Sequence, residues 1–136
     1  MKIAFFLPME KVPTVTHQEK QVRVIRGKPV FYEPDRLQAA RSKLEACLAG
    51  YAPDVPLRGP VGLLVKWCFP ITGKHRDGEW KTSKPDTDNL QKLLKDCMTK
   101  LGYWKDDAQV CSEIVEKFWA KISGLYIEVV ELEDLV

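Results

Sequence analysis

The sequence predicts an α/β fold of the α+β type, with a single mixed β-sheet of about five or six strands packed with two main helices. Three observations carry this reading. Apolar runs with strand character recur at 2–7, 61–69, 109–122 and 125–132, and a further pair lies at 21–32. Two longer stretches, beginning near Asp35 and Asp86, repeat apolar residues three and four apart. Glycine and proline stand at the boundaries between these stretches. The chain of 136 residues is of one-domain size, so 1–136 is read as a single domain with an adequate but modest core.

The first strand, 2–7, is apolar and aromatic and ends at Pro8. It lacks the long apolar run and small-residue cleavage site of a signal peptide. Residues 9–19 show no periodicity and read as loop; His17 within them has no Cys or Asp at metal-ligand spacing and is expected to be an exposed loop residue. Residues 21–32 read as a hairpin turning at Arg26-Gly27, with Pro29 favouring an edge position. Arg23, Arg26 and Lys28 give it a basic edge, which suits DNA contact and equally serves as protection against aggregation.

Pro34-Asp35 opens the first helix, whose stripe is Leu37, Ala40, Arg41, Leu44, Cys47 and Leu48, and Gly50 closes it. Its basic residues, Arg36 and Lys43 among them, are expected to be a solvated face rather than a DNA contact. The proline-bearing stretch 51–60 is a connector. The run 61–69 has so few polar interruptions that it predicts a central strand covered on both faces.

Residues 70–85 form a long basic loop with Lys74, His75, Arg76, Lys81 and Lys84. Loops of this length are functional or disordered. Trp80 within it can stack on a base or wedge at a branch point, but pinning the loop to the body is the stronger expectation. The second helix follows, with Leu90, Leu93, Leu94, Cys97, Met98 and Leu101 on its stripe. Asp86, Thr87 and Asp88 stand at its N-cap region and Gly102 at its C′ position. The run 109–122 is a long strand, and Ser123-Gly124 is expected to return 125–132 as its antiparallel partner.

Chemistry concentrates between Ser83 and Val110. An Asp-x-Asp pair, Asp86 and Asp88, precedes Asn89 and Lys92, and a second acidic pair, Asp106 and Asp107, follows the helix. Magnesium takes oxygen ligands, commonly one or two carboxylates with water and substrate phosphate. Such an ion activates water and stabilises charge on a phosphodiester. Lys92, one turn beyond Asp88, is placed to reach a phosphate or to orient a carboxylate. Against this, aspartate at a helix start commonly serves as a cap, and Asp-Asp in a loop is commonly a solvated turn. The two acidic pairs start at opposite ends of the helix, so their meeting depends on how the following strand runs. Glu113 and Glu116 can add carboxylate, although pairing with Lys117 or Lys121, or facing water, is the stronger expectation.

Residues 83–110 resemble the signature of the RusA family of Holliday-junction resolvases. The matching residues are Asp86-Thr87-Asp88-Asn89-Leu90-Gln91-Lys92 and Gly102-Tyr103-Trp104-Lys105-Asp106-Asp107-Ala108-Gln109-Val110, ungapped and in the family's register. The resemblance implies a RusA-like endonuclease domain. It implies that Asp86, Asp88 and Asp107 are the metal-associated catalytic acids, with magnesium, or manganese, as cofactor, and that Lys92 is catalytic. Asn89 and Asp106 are read as supporting residues: Asn89 orients a water or braces a carboxylate, and Asp106 either backs the metal-binding acids from behind or is structural. The implied substrate is a four-way DNA junction cut by paired nicks in recombination and repair, and the implied assembly is a homodimer, with no interface assigned. Lys74, Arg76, Lys81, Lys84, Arg23, Arg26 and Lys28 are the candidate DNA contacts.

The charge balance alone is only +2, so it does not itself signal nucleic acid. Its distribution says more: the first two-thirds is basic, and the tail carries Glu128, Glu131, Glu133 and Asp134. Four scattered cysteines without a Cys-x-x-Cys are expected to be buried thiols in a reducing cytoplasm rather than disulfides or zinc ligands. No run is long and apolar enough to span a membrane. Three other readings compete. A metal–nucleotide transferase using Asp-x-Asp lacks the glycine-rich phosphate loop such sites require. A junction-binding protein that does not cut would have little use for an intact acid set. A purely structural protein would gain nothing from clustered like charges.

Overall fold

The computed structural model describes residues 1–14, 21–32 and 35–133, and for 21–25 and 29–32 it describes the backbone. His17 lies outside the described residues. Eight regular elements follow in order: β1 (Lys2–Pro8), β2 (Gln21–Ile25), β3 (Lys28–Tyr32), α1 (Asp35–Ala49), β4 (Val61–Pro70), α2 (Thr87–Lys100), β5 (Val110–Ala120) and β6 (Gly124–Glu131).

These elements make an α+β fold with a mixed sheet and two helices. The expected single sheet of five or six strands divides into two. β1-β6-β4-β5 form a four-stranded sheet, and β2-β3 form a separate two-stranded ribbon. The ribbon turns at Arg26 (φ 52°) and Gly27 (φ 76°). Positive φ at both central residues is what a tight hairpin turn demands.

A second correction concerns β5 and β6, which do not pair. β5 runs parallel to β4, and β6 runs antiparallel to β4 on its other side. The short connection 121–123 therefore passes across the end of β4 instead of closing a hairpin. A two-residue turn signal cannot distinguish these outcomes, because parallel pairing of β4 and β5 is decided by the intervening crossover through α2. Gly124 is needed where β6 begins. It has φ 150°, and an added Cβ would lie 2.1 Å from the Leu7 carbonyl oxygen.

Both helices contribute to the core against one face of the sheet. β4 presents Val61, Leu63, Val65, Trp67 and Phe69 inward, and β6 presents Leu125, Ile127 and Val129. Leu37, Ala40, Leu44 and Leu48 of α1, and Leu90, Leu93, Leu94, Cys97 and Met98 of α2, complete the cluster. The other face of β4, with Leu64, Lys66 and Cys68, is only half-buried. β4 is thus central but not covered on both faces. Its open-face residues are apolar enough to hide the alternation in sequence.

The two helices are tied at their C-terminal ends. Gly102 (φ 82°) reverses the chain after α2, and the buried Tyr103 hydroxyl donates to the Leu48 carbonyl at 2.6 Å. Burial pushes the Tyr103 hydroxyl pKa well above its ordinary value and that of the Cys97 thiol to about 11. All four cysteines are free; Cys97 is buried, Cys47 and Cys68 are half-buried, and Cys111 is exposed. The expectation of four buried thiols fails at Cys111 because β5 begins as an open sheet edge. Among the described residues, no helix is long and apolar enough to cross a membrane.

Candidate active site

The basic loop after β4 determines where the acids go. Instead of projecting into solvent, it folds back along the outer edge of β5. The Gly78 amide donates to the Trp119 carbonyl at 2.7 Å, the Trp119 amide to Glu79 at 2.8 Å, and the Lys81 amide to Lys117 at 3.0 Å. These bonds pair Trp80 with Phe118 as an antiparallel bridge. Asp77 accepts from the Lys121 amide, and His75 stacks on Trp119. Each step carries the chain from the end of β5 back toward its beginning. α2 therefore starts beside the first half of β5.

Lys117 completes this path. From β5 its ammonium donates to the carbonyls of Ser83 at 2.7 Å and Pro85 at 2.8 Å, on either side of the cis Lys84–Pro85 bond. The sequence suggests a glutamate as the partner of Lys117. No motif marks a lysine that binds backbone carbonyls across a sheet edge. Lys117→Met keeps the aliphatic stem and removes both bonds. It is expected to cost about 1–2 kcal/mol, read from urea unfolding, and to speed hydrogen exchange in 83–86. An unchanged midpoint and unchanged exchange would show that Lys117 does not hold this segment.

Asp86 is the N-cap residue of α2, yet its side chain makes no capping bond. The ordinary use of an aspartate at this position is therefore not taken up. Asp88 lies in the first turn, where the positive end of the helix dipole favours a carboxylate. Asp106, by contrast, is spent on structure. Its carboxylate accepts from the Ala108 amide at 2.9 Å and caps a single 3-10 turn, Asp107–Gln109. Gln109 closes that capping box and anchors it. Its Oε1 accepts from the amides of Lys105 and Asp106, and its Nε2 donates to the carbonyls of Leu57 and Gly59. Asp107, the neighbour, is left exposed and projects from a braced turn.

Asp88, Lys92 and Asp107 line one cleft of about 410 Å³, with Glu113 and Val115 of β5 as its wall. The carboxylates of Asp86, Asp88 and Asp107 and the ammonium of Lys92 take no hydrogen bond or ion pair among the described residues. Asp86 stands two residues before Asp88 and does not line the cleft; Asn89 is half-buried beside them. Glu113 is held differently from expectation. It accepts from Gln91 Nε2 at 2.9 Å and pairs with Lys95 at 3.3 Å, not with Lys117 or Lys121. Gln91 in turn accepts from the buried Trp67 indole at 2.7 Å. A core tryptophan, a buried amide and a carboxylate thus form one chain into the cleft. A polar residue one position from Leu90 and three before Leu94, at core spacing, is the only sequence signal for Gln91.

Does this donor set suit a divalent cation? Among the described residues, no three His, Cys, Asp or Glu side chains stand close enough to enclose an ion. Magnesium does not require such a cage, since it retains water and commonly takes one or two carboxylates with substrate phosphate. Unpartnered oxygen donors from two elements facing one open cleft fit that arrangement.

The basic residues divide. Lys74, Arg76 and Lys84 are exposed on the loop, and Arg26 and Lys28 are exposed at the tip of the ribbon. Arg23 lies in β2, where the backbone alone is described. Lys81, read from sequence with the others as a loop cation for DNA contact, stands apart from them: it is nine-tenths buried. The alternation of an edge strand turns it inward while Trp80 turns outward to stack on Phe118. Trp80 remains 59% exposed on its other side, so pinning the loop is the contact it makes.

Comparison with known proteins identifies the family. The family model for endodeoxyribonuclease RusA matches residues 10–130. A crossover junction endodeoxyribonuclease of Lactococcus phage r1t is 34% identical, across 97% of this chain and the whole of that protein. A second, from Enterobacteria phage 82, is 34% identical over 59% of this chain and 58% of its own length. An uncharacterized protein of Bacillus subtilis (strain 168) is 28% identical over 70% of this chain and 74% of its own. With the family model covering nearly every described element, the chain belongs to the RusA family of endodeoxyribonucleases.

Proposed function

We propose that this protein is a magnesium-dependent, structure-selective endonuclease that resolves Holliday junctions by paired nicks in recombination and repair, acting in the cytoplasm as a homodimer. One observation supports the reading above others. Asp88, Asp107 and Lys92 come from two separate elements, lack protein partners among the described residues, and line one cleft.

Asp88 and Asp107, with Asp86 at the mouth of α2, would hold the ion; manganese has the same ligand preference. When bound, the ion activates water and neutralises charge on the phosphodiester. The remaining roles belong to the chain. Lys92 presents its ammonium to the scissile phosphate, where negative charge grows in the transition state. Asn89, half-buried beside Asp88, orients a water or braces a carboxylate. Asp106 and Gln109 hold the turn that carries Asp107. Gln91 and Lys95 keep the Glu113 carboxylate occupied, so the cleft wall does not compete for the phosphate's cationic partner. Lys74, Arg76, Lys84, Arg26 and Lys28 supply exposed positive charge for the DNA backbone. A junction with two equivalent strands is matched by two equivalent sites related by a two-fold axis.

The test is cleavage of a synthetic four-way junction against linear duplex, in magnesium and in chelator, by the native protein and Asp88→Asn. Paired nicks that are junction-selective, need the metal and vanish in the variant are expected. A native protein that binds the junction yet never nicks it in magnesium or manganese overturns the catalytic reading. Equal cutting of duplex retains the chemistry and removes the junction as its substrate.

A further inference from the structure

A second concavity lies toward the other end of β5, near Trp119. It measures about 550 Å³, and its rim carries Lys11, Arg36, Lys43 and Lys81 over a floor of Phe69 and Trp119. No carboxylate is among the described residues that line it. The basic face of α1, which the sequence assigns to bulk solvent, therefore meets the inward lysine of the 70–85 loop.

Lys81 is the unusual member. Its side chain is buried, and its ammonium lies 4.2 Å from the Trp119 ring centroid and 5.2 Å from that of Phe69. It donates to Ser83 Oγ at 2.6 Å and has no acidic partner among the described residues. Burial, with Lys117 nearby, lowers its pKa from the ordinary lysine value. Two aromatic faces offset part of the desolvation, but a buried ammonium without a counter-ion remains costly. A leucine or methionine would fill this space more cheaply. Lys43 also has a defined place: it donates to the Lys11 carbonyl at 2.7 Å and holds that segment as a wall.

The ligand chemistry follows from what is left open. A cationic rim with no lining acid asks for an anion. Trp119 is buried and already contacted by the stacked His75 ring at 4.2 Å and by the Lys81 ammonium at 4.2 Å, so it offers no open face to stack a base. Phosphate is favoured over nucleobase. Glu113, Val115, Lys117 and Trp119 alternate onto the helix-bearing face of β5, so groove and acid cleft share that face. Six residues of strand separate Glu113 from Trp119, or roughly 20 Å. That corresponds to about six base pairs of duplex rise.

We propose that this groove is a second seat for the DNA backbone, in which Lys11, Lys43 and the buried Lys81 hold phosphates of a duplex arm about six base pairs from the strand that is cut. The proposal rests on the nuclease reading above and adds a DNA-binding surface remote from the acids.

The experiment measures junction binding in chelator, where nothing is cut, across a range of salt. The native protein is compared with Lys81→Met and with the double variant Lys11→Gln/Lys43→Gln, and thermal unfolding is followed for each. Lys81→Met is expected to unfold at the same or a higher temperature while binding about fivefold to tenfold more weakly. The slope of log affinity against log salt should fall by about 0.9 for each phosphate no longer neutralised. The double variant should weaken binding and flatten the slope in the same sense, and it decides the matter if Lys81→Met does not fold. Unchanged affinity and slope in folded variants overturns the proposal. So does inorganic phosphate stabilising the native protein but not Lys81→Met while DNA affinity is untouched, which would mark a free-anion site. If the native protein itself fails to bind the junction, the nuclease reading falls first.

Discussion

Asp107→Asn is expected to reduce junction cleavage by about a thousandfold or more, with junction binding and thermal stability retained. The substitution is isosteric and replaces a hard anionic donor with a neutral amide. Nothing in the fold depends on that carboxylate, because the adjacent turn is capped by Asp106 and anchored by Gln109. Asp88→Asn should behave alike, since that side chain also lacks a protein partner among the described residues. The two replacements together should cost little more than either alone, as groups acting on one ion form a unit. Asp106→Ala provides the contrast. Loss of its capping bond should cost about 1 kcal/mol of stability and affect cleavage less. Single-turnover nicking and urea unfolding of the four variants distinguish these outcomes. An active Asp107→Asn beside a stable, inactive Asp106→Ala would mean that the two acids have been assigned the wrong way round.

Gly124→Ala is expected to lower stability by at least about 3 kcal/mol, and the unfolding temperature by roughly 10 °C. Two effects act together. The backbone φ of 150° is poorly accessible to a residue with a side chain, and the new Cβ would strike the Leu7 carbonyl oxygen at 2.1 Å. That oxygen belongs to β1, which pairs with β6 through Leu7–Leu125 and Pro8–Gly124. Backbone cannot rotate aside as a side-chain tip can, so relief requires β1 to move off the sheet. Gly62→Ala is the control. Its Cβ would approach Val130 Cγ1 at 3.0 Å and Leu132 Cδ2 at 3.2 Å, both ends of mobile side chains. Its cost should stay below about 1 kcal/mol. Equal midpoints for both variants in urea would rule out a tight β1–β6 approach at Gly124.

Much of the local structure was legible. The apolar stripe from Leu90 to Leu101 and the glycine at 102 delimited α2, observed at Thr87–Lys100, to within a residue or two. The stripe of Leu37, Ala40, Leu44 and Leu48 gave α1 its buried face. Every strand was visible as a run, including both strands of the ribbon. The acids, with Lys92, were marked by a motif dense enough to show the family. Partner choice was far less legible. The runs of β5 and β6 look like a hairpin, and the ribbon looks like part of the main sheet. Strand periodicity records which side chains share a face, but not which edge the strand meets.

The same limit explains the misplaced side chains. Lys81 and Trp80 look alike as members of a basic, aromatic loop. Only the bonds from Gly78, Glu79 and Lys81 to β5 impose an alternation that sends one inward and the other outward. Gln91 and Lys117 have partners 24 and 32–34 positions away, too distant for any local pattern to express. By itself, the sequence determined the elements, the buried faces of both helices and the motif that holds Asp86, Asp88, Lys92 and Asp107, because propensity, periodicity and motif spacing act over short stretches. The tertiary structure alone decided that the loop descends the edge of β5 and brings Asp88 to the same cleft as Asp107. That outcome depends on edge hydrogen bonds and burial between segments far apart in the chain, where the free energy resides in the pairing and not in either partner.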